Sequence, residues 1–184
     1  MKKTLLLIVL CTLVGNTLRA ATLQRAILSH QGKLTQFDQN HWLEAIEQAV
    51  SGDTVFLSAG SFPGNVTITK AITLIGAGIG AEEAFYKDTD IATAYSGCAT
   101  TGESTSIGGD ITIAIPGSVT LTKTLLENIR LSGTSIFFTE PVTNPVIKRC
   151  QVGMIYEGWW YGGVLSASAK VTNLTLENCN FYLS

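Results

Sequence analysis

Charge, histidine and cysteine are all scarce in this chain of 184 residues, and the shortages of charge and cysteine each close off a class of protein. Charged residues make up 14% of the sequence, with Lys and Arg numbering 12 against 14 Asp and Glu. That balance carries no basic stripe of the kind nucleic acid requires and no polybasic patch for an anionic membrane. The four cysteines are too few and too scattered for a disulfide-dense scaffold. The two histidines, His30 and His41, both lie in the first quarter of the chain. No apolar run reaches the length of a bilayer-spanning helix. Asn-Gly and Asp-Gly, the dipeptides of tight antiparallel hairpins, do not occur.

The N-terminus reads as an export signal. Lys2 and Lys3 precede an apolar run from Leu5 to Val14, and Leu18-Arg-Ala20 supplies a small-residue exit. Cleavage is expected after Ala20, giving a secreted or cell-surface protein that begins at Ala21. A lipoprotein start at Cys11 is disfavoured by the bulky Leu10 before it. Loss of Lys2, Lys3 and Arg19 leaves nine basic and fourteen acidic residues, a net charge of −5, and three cysteines: Cys98, Cys150 and Cys179.

Residues 21–52 are expected to hold a strand around Ala26–Ser29 and one helix over Asp38–Gly52. Asp38 or Asn40 would cap its start, Leu43, Ile46 and Val50 would form its apolar face, and Gly52 would close it. From residue 53 onward the chain is made of short β-rich runs with period-two alternation. Val55 and Leu57, Val66 and Ile68, Ile72 and Leu74, Ile111, Ile113 and Ile115, and Val119 and Leu121 are predicted to face inward, with Thr120 and Thr122 outward.

Internal repetition gives these runs an order. Leu126-Glu-Asn-Ile-Arg-Leu131 recurs as Leu176-Glu-Asn-Cys-Asn-Phe181, and Ile147-Lys-Arg-Cys-Gln-Val152 has the same shape. The starts are 21 and 29 residues apart, which suits one coil each with a variable loop. Leu126, Ile147 and Leu176 would stack on one inner strand, and Leu131, Val152 and Phe181 on another. Asn128 and Asn178 would occupy the bends, since Asn tolerates the left-handed conformation. Cys150 and Cys179, one coil apart at about 4.8 Å, fall within disulfide range, and stacked buried thiols fit the same position.

The stretch Ala45-Ile-Glu-Gln-Ala-Val-Ser-Gly-Asp-Thr-Val-Phe-Leu-Ser-Ala-Gly-Ser-Phe62 resembles the opening of right-handed parallel β-helix proteins of the pectin-lyase-like group. The likeness is close over residues 38–78 and carried further by the repeat. It implies an all-β fold, a right-handed parallel β-helix or solenoid, whose first coil is covered by the N-terminal helix. Residues 53–184 would form the coils. The last repeat runs into the final residues with nothing to cover it, so an incomplete stack, or end-to-end self-association, is expected.

The group includes polysaccharide lyases, glycoside hydrolases and adhesins, and the opening motif does not choose among them. The Asp-Asp, Gly-His-Gly and Asp-His runs of its polygalacturonases and pectate lyases are missing here. Three constellations remain. Glu82, Glu83, Asp88 and Asp90 supply hard oxygen ligands for calcium, although their spacing matches no calcium loop. Lys148 and Arg149 form a basic pair at a bend, with Glu140 upstream, suited to an acidic glycan. Tyr156, Trp159, Trp160 and Tyr161 place four aromatics in six residues, either a platform on which sugar rings stack or a loop folded against the body. The expectation is a non-catalytic binding or scaffold protein at glycan-rich surfaces. The alternatives are a polysaccharide lyase or glycoside hydrolase with its active residues elsewhere or unrecognised, and a purely structural stalk.

Overall fold

The computed structural model describes residues 24–79, 104–131, 135–152, 154–156, 159–161 and 164–181. Two antiparallel strands come first, β1 (Arg25–His30) and β2 (Lys33–Asp38). A 3-10 turn (Gln39–His41) leads into α1 (Trp42–Gln48). The first pass of short strands is β3 (Thr54–Leu57), β4 (Gly60–Phe62) and β5 (Val66–Ile68). The second is β6 (Thr73–Ile75), β7 (Thr105–Ile107), β8 (Ile111–Ile113) and β9 (Val119–Thr120). The third is β10 (Leu126–Glu127), β11 (Arg130–Leu131), β12 (Ile136–Phe138) and β13 (Val142–Thr143). The fourth is β14 (Val146–Lys148), β15 (Gln151–Val152), β16 (Met154–Tyr156), β17 (Trp159–Tyr161), β18 (Leu165–Ala167) and β19 (Val171–Thr172). Then come β20 (Thr175–Glu177) and β21 (Asn180–Phe181). The protein is all-β, with one short α-helix among the described residues.

Successive passes add to the same sheets in the same sequence. A seven-stranded sheet has the order β2-β1-β3-β6-β10-β14-β20, and a five-stranded one β21-β15-β11-β7-β4. A four-stranded sheet runs β18-β12-β8-β5 and a three-stranded one β19-β13-β9. Apart from the antiparallel pairings of β1 with β2 and with β3, every strand pairing in these four sheets is parallel.

The register puts like side chains on like. Val55, Leu74, Leu126, Ile147 and Leu176 are successive partners in the largest sheet. Phe62, Ile107, Leu131, Val152 and Phe181 follow one another in the five-stranded sheet. Most of these side chains lose nearly all their exposure in one continuous core. Burying a Leu, Ile or Phe contributes roughly 1.5–3 kcal/mol, so each pass is stabilised chiefly by the pass beside it. Among the described residues the ladder opens at its far end, where Leu176 is 43% exposed and Cys179 and Phe181 are half-buried. Thr120 and Thr122 are exposed as expected, whereas Val119, expected inward, is half-buried.

The bends need backbone that most residues resist. Asn128, Arg149 and Asn178 take φ of 59°, 47° and 52° at one corner, and Asn144 and Asn173 take 58° and 55° at another. Asn is the side chain that tolerates this region best. Asn173 Nδ2 donates to Asn144 Oδ1 at 3.1 Å, joining two bends. A third corner is laced by side-chain acceptors: Asn65 takes the Asp110 N–H, Asp110 takes the Ser135 N–H, and Ser135 takes the Val164 N–H.

The N-terminal region departs from expectation in three ways. First, β2 accompanies β1: Gln31 and Gly32, at φ 48° and 80°, make the two-residue turn that Asn-Gly usually supplies. Second, the helix is shorter than residues 38–52. Asp38 does cap the entry, accepting from the Asn40 and His41 N–H groups, but it caps a 3-10 turn and not the α-helix itself. Third, the buried face is Trp42, Ala45 and Ile46, continued by Ala49, while Val50 is 48% exposed and Leu43 only partly buried. The helix stops at Gln48 because Ala49 turns extended and the Val50 N–H goes to Asp53 Oδ2 at 2.8 Å. Gly52 serves the following turn at φ 99° rather than the helix end. Trp42 anchors the packing: its indole N–H donates to Pro63 O at 3.0 Å and its ring meets Phe62 edge-on at 5.6 Å.

Candidate functional site

The aromatic run is a strand pair instead of a loop. β16 and β17 pair antiparallel, Tyr156 opposite Trp159, Ile155 opposite Trp160 and Met154 opposite Tyr161. This hairpin lies in the chain between β15 and β18, whereas the preceding pass connects β11 to β12 without one. It accounts for the longer second interval of the repeat. The ladders neither require it nor pair with it.

Lys148 and Arg149 sit side by side where β14 meets its bend, but both are engaged by neighbouring passes. Lys148 Nζ lies 2.9 Å from Glu177 Oε2. Arg149 forms an ion pair with Glu127 and donates through Nε to Asn128 Oδ1 at 2.7 Å. Glu127, Lys148 and Glu177 are register partners, so the basic pair alternates in sign with its neighbours. Such exposed pairs contribute roughly 0–1 kcal/mol. They also neutralise the charge an acidic glycan would seek.

Cys150 and Cys179 are free thiols. Cys150 Sγ donates to Lys148 O at 3.2 Å and Cys179 Sγ to Ile147 O at 3.4 Å. Burial pushes the Cys150 thiol up to about 12, which keeps it protonated and unreactive. Asp88, Asp90, Glu82, Glu83 and Cys98 lie outside the described residues. Among the described residues no three His, Cys, Asp or Glu side chains converge as a metal site. No helix among them is long and apolar enough to cross a membrane.

Two groupings escaped sequence reasoning. On the five-stranded sheet, opposite the core ladder, Ser61, Ser106, Arg130, Gln151 and Asn180 stand in register as a polar stripe. Its middle is buried, Arg130 being 4% and Gln151 0% exposed, and both are engaged. A buried guanidinium is costly unless paired. The signal was available in the repeat, where the position before each core residue is polar.

The second grouping joins residues far apart in sequence. His30 Nδ1 meets both carboxylate oxygens of Asp53, at 2.8 and 3.1 Å. Asp53 is buried while the His30 side chain is 42% exposed. Burial alone would raise the Asp53 pKa. Hydrogen bonds from the Val50 N–H and from His30, with Lys123 nearby, outweigh it and hold the carboxyl below its ordinary range. The carboxylate thus fixes the proton on Nδ1 and leaves Nε2 as the ring's open nitrogen. Lys123 Nζ donates to Gly52 O at 2.7 Å, beside the same turn. No local motif announces this trio, since only the antiparallel pairing of β1 with β3 brings His30 to Asp53.

Searches against family models, curated proteins and solved structures return no match for this chain.

Proposed function

We propose that the chain is an exported right-handed parallel β-helix that binds glycans without catalysis, with the β16–β17 hairpin as its binding element. One observation carries the reading: an aromatic-rich hairpin interrupts a regular stack at a place where the preceding pass needs none. Connections of this kind are where binding residues collect on a rigid scaffold, and aromatic rings match the C–H faces of sugars. The fixed order of strands through four sheets supports the β-helix, and the likeness of residues 38–78 to secreted members of the pectin-lyase-like group supports export. Pairing of Lys148 and Arg149 with Glu177 and Glu127 speaks against their use as a catalytic base or a carboxylate clamp. Leu176, exposed on an outermost strand, is where a second copy would join by strand addition.

Affinity electrophoresis of the mature protein through gels containing acidic or neutral polysaccharides, with and without calcium, tests the proposal. Retardation by at least one polysaccharide, with no product released, is expected. Unsaturated product absorbing in the ultraviolet would establish the lyase alternative, and free migration through every gel would leave no glycan-binding role.

A further inference from the structure

Two cavities meet beside the end of β1 and the start of β3. The larger, about 420 Å3, lies between the β1–β2 turn and the turn into β3, with His30, Asp53 and Lys123 in its wall. The smaller, about 230 Å3, continues past Ala71 to Thr120 and Thr122. Ser51, Gly52 and Lys123 border both, so the two form one groove. It runs from the end of β1 past the starts of β3 and β6 to the turn that follows β9.

The walls alternate in character. Nε2 of His30, with no hydrogen-bond partner among the described residues, is an acceptor in the neutral imidazole. Lys123 donates, and the Ser51 and Thr122 hydroxyls do either. Between them lie the apolar surfaces of Val50 and Ala71. The Lys123 ammonium and the Asp53 carboxylate leave the groove without net charge when the imidazole is neutral. A sugar ring has the matching surface, a rim of hydroxyls around a C–H face. An extended peptide has a poorer match, because strand ends line this groove and peptides add along strand edges.

We propose that this groove binds a neutral oligosaccharide, with His30 and Lys123 as its polar contacts and Asp53 as the residue that positions His30. The ligand class rests on the glycan-binding reading, but the groove is built from other residues than the β16–β17 hairpin. The test is an amide chemical-shift titration of the mature protein with cello-, xylo-, manno- and malto-tetraose. Saturable shifts at His30, Ser51, Gly52 and Lys123 with at least one sugar are expected. Lys123→Met and His30→Gln should each weaken that binding by about tenfold, the loss of a hydrogen bond. Shifts confined to residues 154–161 would overturn the groove and leave the hairpin reading standing. Shifts absent throughout would overturn both for neutral sugars, and undiminished affinity in both groove variants would remove His30 and Lys123 from any role.

Discussion

At the scale of single residues, Asp53 ties the N-terminal strands to the first pass, because one carboxylate serves both the Val50 N–H and His30. Asp53→Ala should cost roughly 1–3 kcal/mol, the price of leaving those donors unsatisfied, measured by urea denaturation at neutral pH. Its pKa is depressed on folding, so its contribution is present above the unfolded value near 3.8 and is lost as pH falls through the folded one. The gap between wild type and Asp53→Ala should therefore hold from pH 7 to about 5 and narrow below about 4. A gap that widened in acid would contradict the assigned role. Gly109 offers a purely steric counterpart. A methyl group there would run into the backbone of Gly64 and Asn65 in the adjoining pass, so Gly109→Ala should destabilise by about 1–3 kcal/mol through forced displacement of packed backbone. A melting temperature equal to wild type would mean that the passes are not so closely apposed.

At the scale of elements, the ladders make a sharp contrast. Ile147→Asp puts an unpaired charge between Leu126 and Leu176 and should abolish folding, whereas Thr120→Asp, on the exposed side, should change stability by less than about 0.5 kcal/mol. Circular dichroism of the two variants decides it, and equal tolerance would refute the register. This register was legible in the sequence because each strand is short and the repeat carries its own phase: Leu126, Ile147 and Leu176 share neighbours that also match. The left-handed bends at Asn128 and Asn178 were legible for the same reason, and Arg149 follows from its place between them. The helix face was read only in part: Ile46 is buried as expected, but Val50 lies past the helix end, where Ala49 turns extended, and the buried Trp42, Ala45 and Ala49 were passed over. Strand β2 went unread because Gln31-Gly32 is an uncommon hairpin dipeptide and its outer residues are exposed. The His30–Asp53–Lys123 groove was beyond any local pattern, since its parts meet only through pairing between distant strands.

At the scale of the whole molecule, the shared parallel sheets carry two separate features, the hairpin between β15 and β18 and the groove bordered by His30, Asp53 and Lys123. Export should leave a protein starting at Ala21, and an intact mass that retained residues 1–20 on a soluble species would count against the signal reading. The glycan-binding claim has a built-in reporter. Of the three tryptophans, Trp42 is buried at 1% exposure against Phe62, so it is shielded from ligand. A saturable change in tryptophan emission on adding polysaccharide, with the thermal melt unchanged in cooperativity, would then come from Trp159 and Trp160. The account predicts that change for at least one polysaccharide and its loss in the Trp159→Ala, Trp160→Ala double variant. Emission that stays flat across acidic and neutral polysaccharides alike would contradict it.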